Sequence, residues 1–337
     1  MNAIGLPGDQ TTEVLREVLP DLYRIRLPLP FPPREVNAWL LGGSDGWTLI
    51  DCGIDDAPTR AIFTNVLSDS RLRAKPVTRL VATHFHPDHV GLAGWLRART
   101  GAEFHMSRQE WEQAQFHSRL APSTAIPQIV AHHARAGAPR SFLEFLPRDG
   151  WIFSKSVGPL PERYVPVKDD DVLILAGSAW RVIVAEGHAP EMICLYSPER
   201  RVLIAADQIL ERISPHIGVH PFDPIGDPLG IFLKSLSRFE ALPDDILVLP
   251  SHGDPFPGLH ARIAALRAHH AAHLDHLVDF CRMPRTVMET LDVLFRPLPL
   301  DQIGFGLSEA LAHLRHLVNL QALDEACEGD RWRFVRR

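Results

Sequence analysis

The first hundred residues carry short apolar runs separated by turn residues, the spacing of strands. LYRIRLPL (22–29) and NAWLLGG (37–43) predict two strands around the proline-rich loop PFPPRE (30–35). GGSDG (42–46) predicts a turn into WTLIDCG (47–53), a short apolar strand carrying Asp51 near its end. Residues 56–68 switch to helical spacing, and TRLVAT (78–83) reads as a buried strand. GLAGWLRART (91–100) reads as a helix and AEFHM (102–106) as another short strand. Strands alternating with helices predict an α/β layered fold.

From about Ser107 to Pro166 the pattern becomes helical, broken by prolines and without an evident strand. That is too long for a simple connection and predicts a helical insertion that covers something. Strand patterns return at DVLILA (171–176), WRVIVAEGH (180–188), MICLYSP (192–198) and RVLIAAD (201–207). A helix over 229–241 leads to DILVLPSHG (245–253). Residues 259–281 hold neither proline nor glycine and predict one long helix, ended by Met283-Pro284. TVMETLDVLF (286–295) and LSEALAHLRHLVNL (307–320) read as helices, and QALDEAC and RWRFVRR flank Glu328-Gly329-Asp330 as a hairpin. The expected organisation is a domain over 1–258 with its insertion at 107–166, a linker helix over 259–282, and a small winged-helix-like α+β module over 283–337.

Composition narrows the classes. The chain of 337 residues, 45% hydrophobic, can bury a large core. A net charge of −6 argues against general nucleic-acid binding. No apolar run approaches the roughly 20 residues of a membrane span, and MNAIGLPGDQTTEVLREVLP lacks the pattern of a signal peptide. The widely spaced Cys52, Cys194, Cys281 and Cys327 read as reduced thiols in a cytoplasmic protein. Histidine is the outlier, at 18 residues.

The stretch THFHPDHVG (83–91) concentrates that chemistry at the end of a strand. His84 and His86 leave an extended segment on one face, and Asp88 and His89 approach from a second direction after Pro87. Gly91 permits close helix packing. Such an arrangement offers two ligand sets for two adjacent metals. His188, Asp207 and His252 each follow an apolar strand, so they would converge on the same sheet edge. His269, His273 and His276 share one helix face, where a solvated or packed face is the ordinary reading.

Taken in order, Asp51 in LIDCG, HxHxDH at 84–89, GHAP at 187–190, AAD ending at Asp207 and SHGDP at 251–255 resemble the metallo-β-lactamase superfamily over about residues 20–258. The resemblance implies a four-layer αββα sandwich with metals along one edge. It implies that His84, His86 and His188 bind one divalent ion, that Asp88, His89 and His252 bind a second, and that Asp207 bridges them. Asp51 would orient ligands and loops, and Asp88 would also guide the proton of the attacking water. Zinc is the expected metal, and iron and manganese suit the same ligands. Two departures stand out: Glu191 follows GHAP where the family has a small residue, and Ala206 precedes the bridging aspartate where glycine is frequent.

The implied activity is a dinuclear hydrolase that cleaves an ester, thioester or lactone of a small molecule with a metal-generated hydroxide, similar to glyoxalase II or a lactonase. Antibiotic-hydrolysing members resemble this chain less, because they carry a cysteine ligand and a signal peptide. The insertion and the PFPPRE loop would form the substrate walls, with Phe31, Trp111, Phe116 and Trp151 as the apolar lining. His216, or alternatively His220, in RISPHIGVHPFD (212–223) would donate a proton to the leaving group. The alternative is an endoribonuclease similar to the lactamase-β-like type, using the carboxyl-terminal module for RNA. Against it, residues 281–337 hold eight arginines and eight acidic residues, so the module supplies little phosphate neutralisation. The module otherwise packs on the domain or forms a homodimer interface.

Overall fold

The computed structural model describes residues 14–222 and 226–337. Of the amino-terminal segment read above only the part from Val14 is described, and Asp223 at the end of the 212–223 loop lies outside the described residues. The first half runs β1 (Leu15–Leu19), β2 (Leu22–Pro28), β3 (Glu35–Gly42), β4 (Trp47–Ile50), α1 (Ala57–Ser68), α2 (Ser70–Arg73), β5 (Val77–Val81), α3 (Pro87–Val90), α4 (Ala93–Thr100) and β6 (Glu103–Met106). Then come α5 (Arg108–Arg119), α6 (Pro122–Arg135), α7 (Arg140–Asp149), α8 (Ile152–Ser156) and β7 (Val165–Pro166). The second half runs β8 (Val172–Leu175), β9 (Ser178–Ala185), β10 (Met192–Ser197), β11 (Val202–Ala206), α9 (Pro228–Glu240), β12 (Leu247–Pro250) and α10 (Leu259–Phe280). The tail adds α11 (Val287–Leu294), α12 (Ile303–Asn319), β13 (Leu323–Glu328) and β14 (Arg331–Arg336).

β1 to β7 form one sheet in chain order, antiparallel up to β4 and parallel beyond it. The other sheet has the order β12-β11-β10-β9-β8, with β11 and β12 parallel. Strand periodicity explains why these sequences read as nearly continuous apolar runs. In β3, Trp39 and Leu41 face the space between the sheets, whereas Val36, Ala38 and Leu40 face the helices outside. In β9, Trp180, Val182 and Val184 point inward and Ile183 and Ala185 outward. The central strands of both sheets are covered on both faces, so both alternate positions there are apolar. The result is the four-layer αββα sandwich that the motifs implied.

Two local expectations change. The helix expected over 91–100 starts at Ala93 as α4, and a short α3 precedes it, with Gly91 between them where a Cβ would lie 2.5 Å from the Ser156 carbonyl and 2.7 Å from that of Gly53. The prolines do not all break the inserted helices: Pro127 and Pro147 lie inside α6 and α7, which reach hydrophobic cover through Ala125 and Phe142. The insertion also ends in β7, the seventh strand of the first sheet.

The tail shares its core with the insertion. Phe142 and Ala136 cluster with Leu277, Leu311, Trp332 and Phe334, and the Met288 amide donates to the Ala136 carbonyl at 3.0 Å. α12 packs against α9 and α10, and β13 and β14 form an antiparallel hairpin. No helix of the described residues is long and apolar enough to cross a membrane.

Candidate metal centre

Asp51 follows β4 with φ 64°, a left-handed conformation that turns its carboxylate towards the end of β5. There it accepts hydrogen bonds from the Thr83 amide (2.8 Å), the Thr83 hydroxyl (3.0 Å) and His89 Nδ1 (2.9 Å). His188 Nδ1 donates to the His216 carbonyl (2.8 Å), and His252 Nδ1 donates to the Glu35 carbonyl (2.7 Å). A carbonyl only accepts, so Nδ1 of both rings carries the proton and Nε2 of each presents its lone pair. This is the support that metal-binding histidines ordinarily have.

The free ends converge. His84 Nε2 lies 3.0 Å from His86 Nδ1 and 3.2 Å from His188 Nε2. Asp88 Oδ2 lies 3.6 Å from His89 Nε2 and 3.5 Å from His252 Nε2. Asp207 stands between the two groups, with Oδ1 3.5 Å from His89 and Oδ2 3.4 Å from His188 and 3.5 Å from His252. Three groupings of ligand atoms each fall within 4.8 Å: His84, His86 and His188; His84, His89 and Asp207; and Asp88, His89 and His252. His269, His273 and His276 form no such grouping among the described residues.

These residues fit divalent cations. His89 Nε2 and Asp207 Oδ1 are buried without a hydrogen-bond partner, which an apolar setting makes costly unless a ligand satisfies them. Burial, reinforced by neighbouring imidazoles, holds His84 and His86 well below the usual histidine range, the neutral form a ligand needs. Burial opposes charge on His89 too, yet Asp88, Asp51 and Asp207 push it up to about 10. That corner therefore demands positive charge, which a cation would supply while freeing Nε2.

The sequence profile described as "Metallo-beta-lactamase superfamily" matches residues 31–252. The chain belongs to that superfamily. A second profile, "Metallo-beta-lactamase-like, C-terminal domain", matches residues 274–337. A crystal structure of a β-lactamase domain protein from Burkholderia ambifaria is 34% identical and superposes with a TM-score of 0.90 over 99% of this chain and 97% of that one. The structure of a metallo-β-lactamase family protein from Thermus thermophilus is 29% identical, with a TM-score of 0.81 over 95% of this chain and all of that one (100%). The chain is also similar to the "Probable metallo-hydrolase YqjP" of Bacillus subtilis (strain 168), 24% identical over 331 residues, 92% of this chain and 96% of that protein. Membership and the His/Asp cluster together support a metal-dependent hydrolase.

Both departures from the superfamily pattern now have a physical reading. Ala206 has φ 47°, a conformation that glycine adopts without strain, which accounts for glycine being frequent there. Glu191 pairs with the start of α5: its carboxylate accepts from the Gln109 amide at 2.8 Å. Gly187, just before His188, has φ 107°, and an added Cβ would lie 2.4 Å from Phe232 Cβ. Gly187→Ala is therefore expected to lower stability by more than about 1 kcal/mol. Thermal denaturation checks it, and an unchanged midpoint would contradict the close approach.

The structure brings the sequence-predicted candidate ligands together, and sequence reasoning misses their surroundings. The His216 ring is turned towards α12, with Nε2 3.2 Å from Ser308 Oγ and Nδ1 3.5 Å from Glu309, so this residue reaches the cluster through its carbonyl. His220 interacts electrostatically with His86 and His188, but burial, then His216 and other imidazoles, hold it down to about 3. At neutral pH it can offer an N–H but not the proton of an imidazolium. Trp111 stacks on Tyr164 (centroids 4.6 Å apart), and Phe31 packs against the outer core of the first sheet. The aromatic surface beside the ligands starts from Phe85, on which His117 stacks at 5.2 Å, and continues through Phe116, Trp151 and Phe222. A cavity of about 1190 Å³ is bordered by Trp111, Phe116 and Phe153.

Proposed function

We propose that this protein is a dinuclear metal-dependent hydrolase of small esters, thioesters or lactones with an apolar acyl group or ring. The supporting observation is the pair of ligand groups sharing Asp207 and flanked by the Phe85, His117, Trp151 and Phe222 surface. His84, His86 and His188 would hold one ion, Asp88, His89 and His252 the other, with Asp207 common to both. Bound there, divalent ions lower the pKa of water towards neutrality and polarise a carbonyl oxygen, and zinc is the expected metal. Asp88, half-buried beside His89 and His252, accepts the proton that the attacking water gives up. Asp51 fixes the tautomer of His89, and the His216 carbonyl fixes that of His188; we assign His216 this positioning role in place of proton donation.

The tail gives the nuclease alternative little support. We read α11, α12 and the β13–β14 hairpin, with the bridge between Arg285 and Phe334, as winged-helix-like. In such a module the second helix would enter a nucleic-acid groove. Here α12 buries Leu307, Leu311, Leu314 and His313 among others and lies against α9 and α10, so that face is occupied.

A panel of thioesters, lactones, aryl esters, alkyl sulfates, phosphodiesters and single-stranded RNA tests the assignment. Turnover of apolar acyl substrates is expected, with Trp151→Ala raising KM about tenfold or more through lost apolar contact. RNA cleavage without ester or thioester turnover would reverse the ranking.

A further inference from the structure

We propose that Glu110 and Glu191 form a clasp that sets the spacing of His84, His86 and His188, and that Asp88, His89 and His252 do not depend on it. Glu110 is fully buried in the first turn of α5. Its Oε2 accepts from the Phe85 amide at 2.9 Å and its Oε1 from the Glu191 amide at 2.6 Å. Phe85 lies between His84 and His86, and Glu191 lies three residues beyond His188. One carboxylate therefore ties a loop of the first sheet to a loop of the second. The connection is reciprocal: Glu191 Oε2 accepts from the Gln109 amide at 2.8 Å, and its carbonyl accepts from the Ser107 hydroxyl at 2.7 Å.

Ser107-Arg108-Gln109-Glu110 has the S-x-x-E form of a helix capping box. The helix forgoes that cap: Ser107 is the N-cap residue, yet its side chain makes no capping bond. Both polar side chains are spent on the ligand loops instead. Both sets take ligands from both sheets, and ligand geometry must hold to about 0.5 Å; the clasped amides flank the ligands of the first set, Phe85 between His84 and His86 and Glu191 beyond His188. The second set has other anchors, Asp51 for His89 and the Glu35 carbonyl for His252. Glu110 is thus a positioning residue, and its role rests on the two-metal reading above.

Glu110→Gln tests it in the full chain. The amide keeps the size but turns a donor towards one of the two backbone N–H groups, so one loop loses its acceptor. Titration with cobalt(II) is expected to show two equivalents for wild type. For the variant, one equivalent should bind about 10- to 100-fold more weakly, with the visible absorption of that equivalent altered and the other unchanged. Hydrogen exchange on metal-free protein should be faster at the Phe85 and Glu191 amides. Glu191→Gln, altering a less buried bond of the same clasp, should shift the same equivalent by less if Glu110→Gln fails to fold. Two equivalents of wild-type affinity in both variants, with unchanged exchange, would overturn the clasp alone. Equal weakening of both equivalents would overturn its selectivity. A wild-type protein that binds no cobalt would remove the metal reading and this inference with it.

Discussion

Asp207→Ala is expected to abolish hydrolysis and to strip metal from the protein. Asp207 is the carboxylate common to the two ligand groups, within 3.5 Å of imidazole nitrogens of His89, His188 and His252. It is nearly buried, and those imidazoles together hold its carboxyl well below the usual range despite that burial. Alanine leaves the histidines facing one another with no negative charge between the two groups. Cations brought close together then repel without compensation, and the second cannot bind where the first already sits. Removing a hydrogen-bond partner of a ligand costs about 10- to 100-fold in affinity or activity, and loss of the shared ligand itself should exceed that range. Metal content per chain and kcat/KM on the best panel substrate measure it together. Turnover indistinguishable from wild type would sink the two-metal assignment.

Asp51→Asn should have the next largest effect, and it should act on the other ligand set from the one Glu110 governs. Asparagine tolerates the left-handed φ of 64° at this position, so the backbone turn survives. What changes is the number of acceptors. Asp51 receives the Thr83 amide on Oδ1 and both the Thr83 hydroxyl and His89 Nδ1 on Oδ2. An amide NH2 directed at His89 forces Nδ1 to accept, which moves the ring proton to Nε2, the atom that faces Asp207 and Asp88. Placed at Oδ1 it would oppose the Thr83 backbone amide, which cannot turn away, so the placement at Oδ2, where the Thr83 hydroxyl and His89 can both switch to accepting, is the expected one. Affinity at the set of Asp88, His89 and His252 should then fall about 10- to 100-fold, while the fold loses about 1–3 kcal/mol for the disturbed buried hydrogen bonds. A cobalt titration losing one equivalent, together with a lower denaturation midpoint, is the expected result. Retention of both equivalents would mean that Asp51 has no hold on the tautomer of His89.

How much is legible in the sequence follows from how local each signal is. His84, His86, Asp88 and His89 lie within six residues, and strand periodicity alone places the first pair on one face. His188, Asp207 and His252 are recognisable because each ends an apolar strand. Glu110 is not, since Ser107-x-x-Glu110 carries the local signature of a helix start and only the approach of two distant loops diverts it. His216 reads as a proton donor because it follows a ligand in sequence, yet packing against α12 turns its ring away and leaves its carbonyl at His188. Composition does not separate Phe31 from pocket residues, because the same aromatic serves a core or a wall. Phe222 and His117 become visible as a wall only through their contacts with Trp151 and Phe85.

The sequence by itself determined the candidate ligands and the layered α/β architecture, because both are written in short-range order: alternation along strands, and candidate ligands placed where strands end. Tertiary structure decided how closely the candidate ligands approach one another and which side chains brace their loops. Those outcomes depend on distances between segments that are remote in the chain, such as Phe85 and Glu191 meeting at Glu110. No local propensity encodes such distances; they arise when two sheets close on one core and their loops compete for the same few buried donors and acceptors.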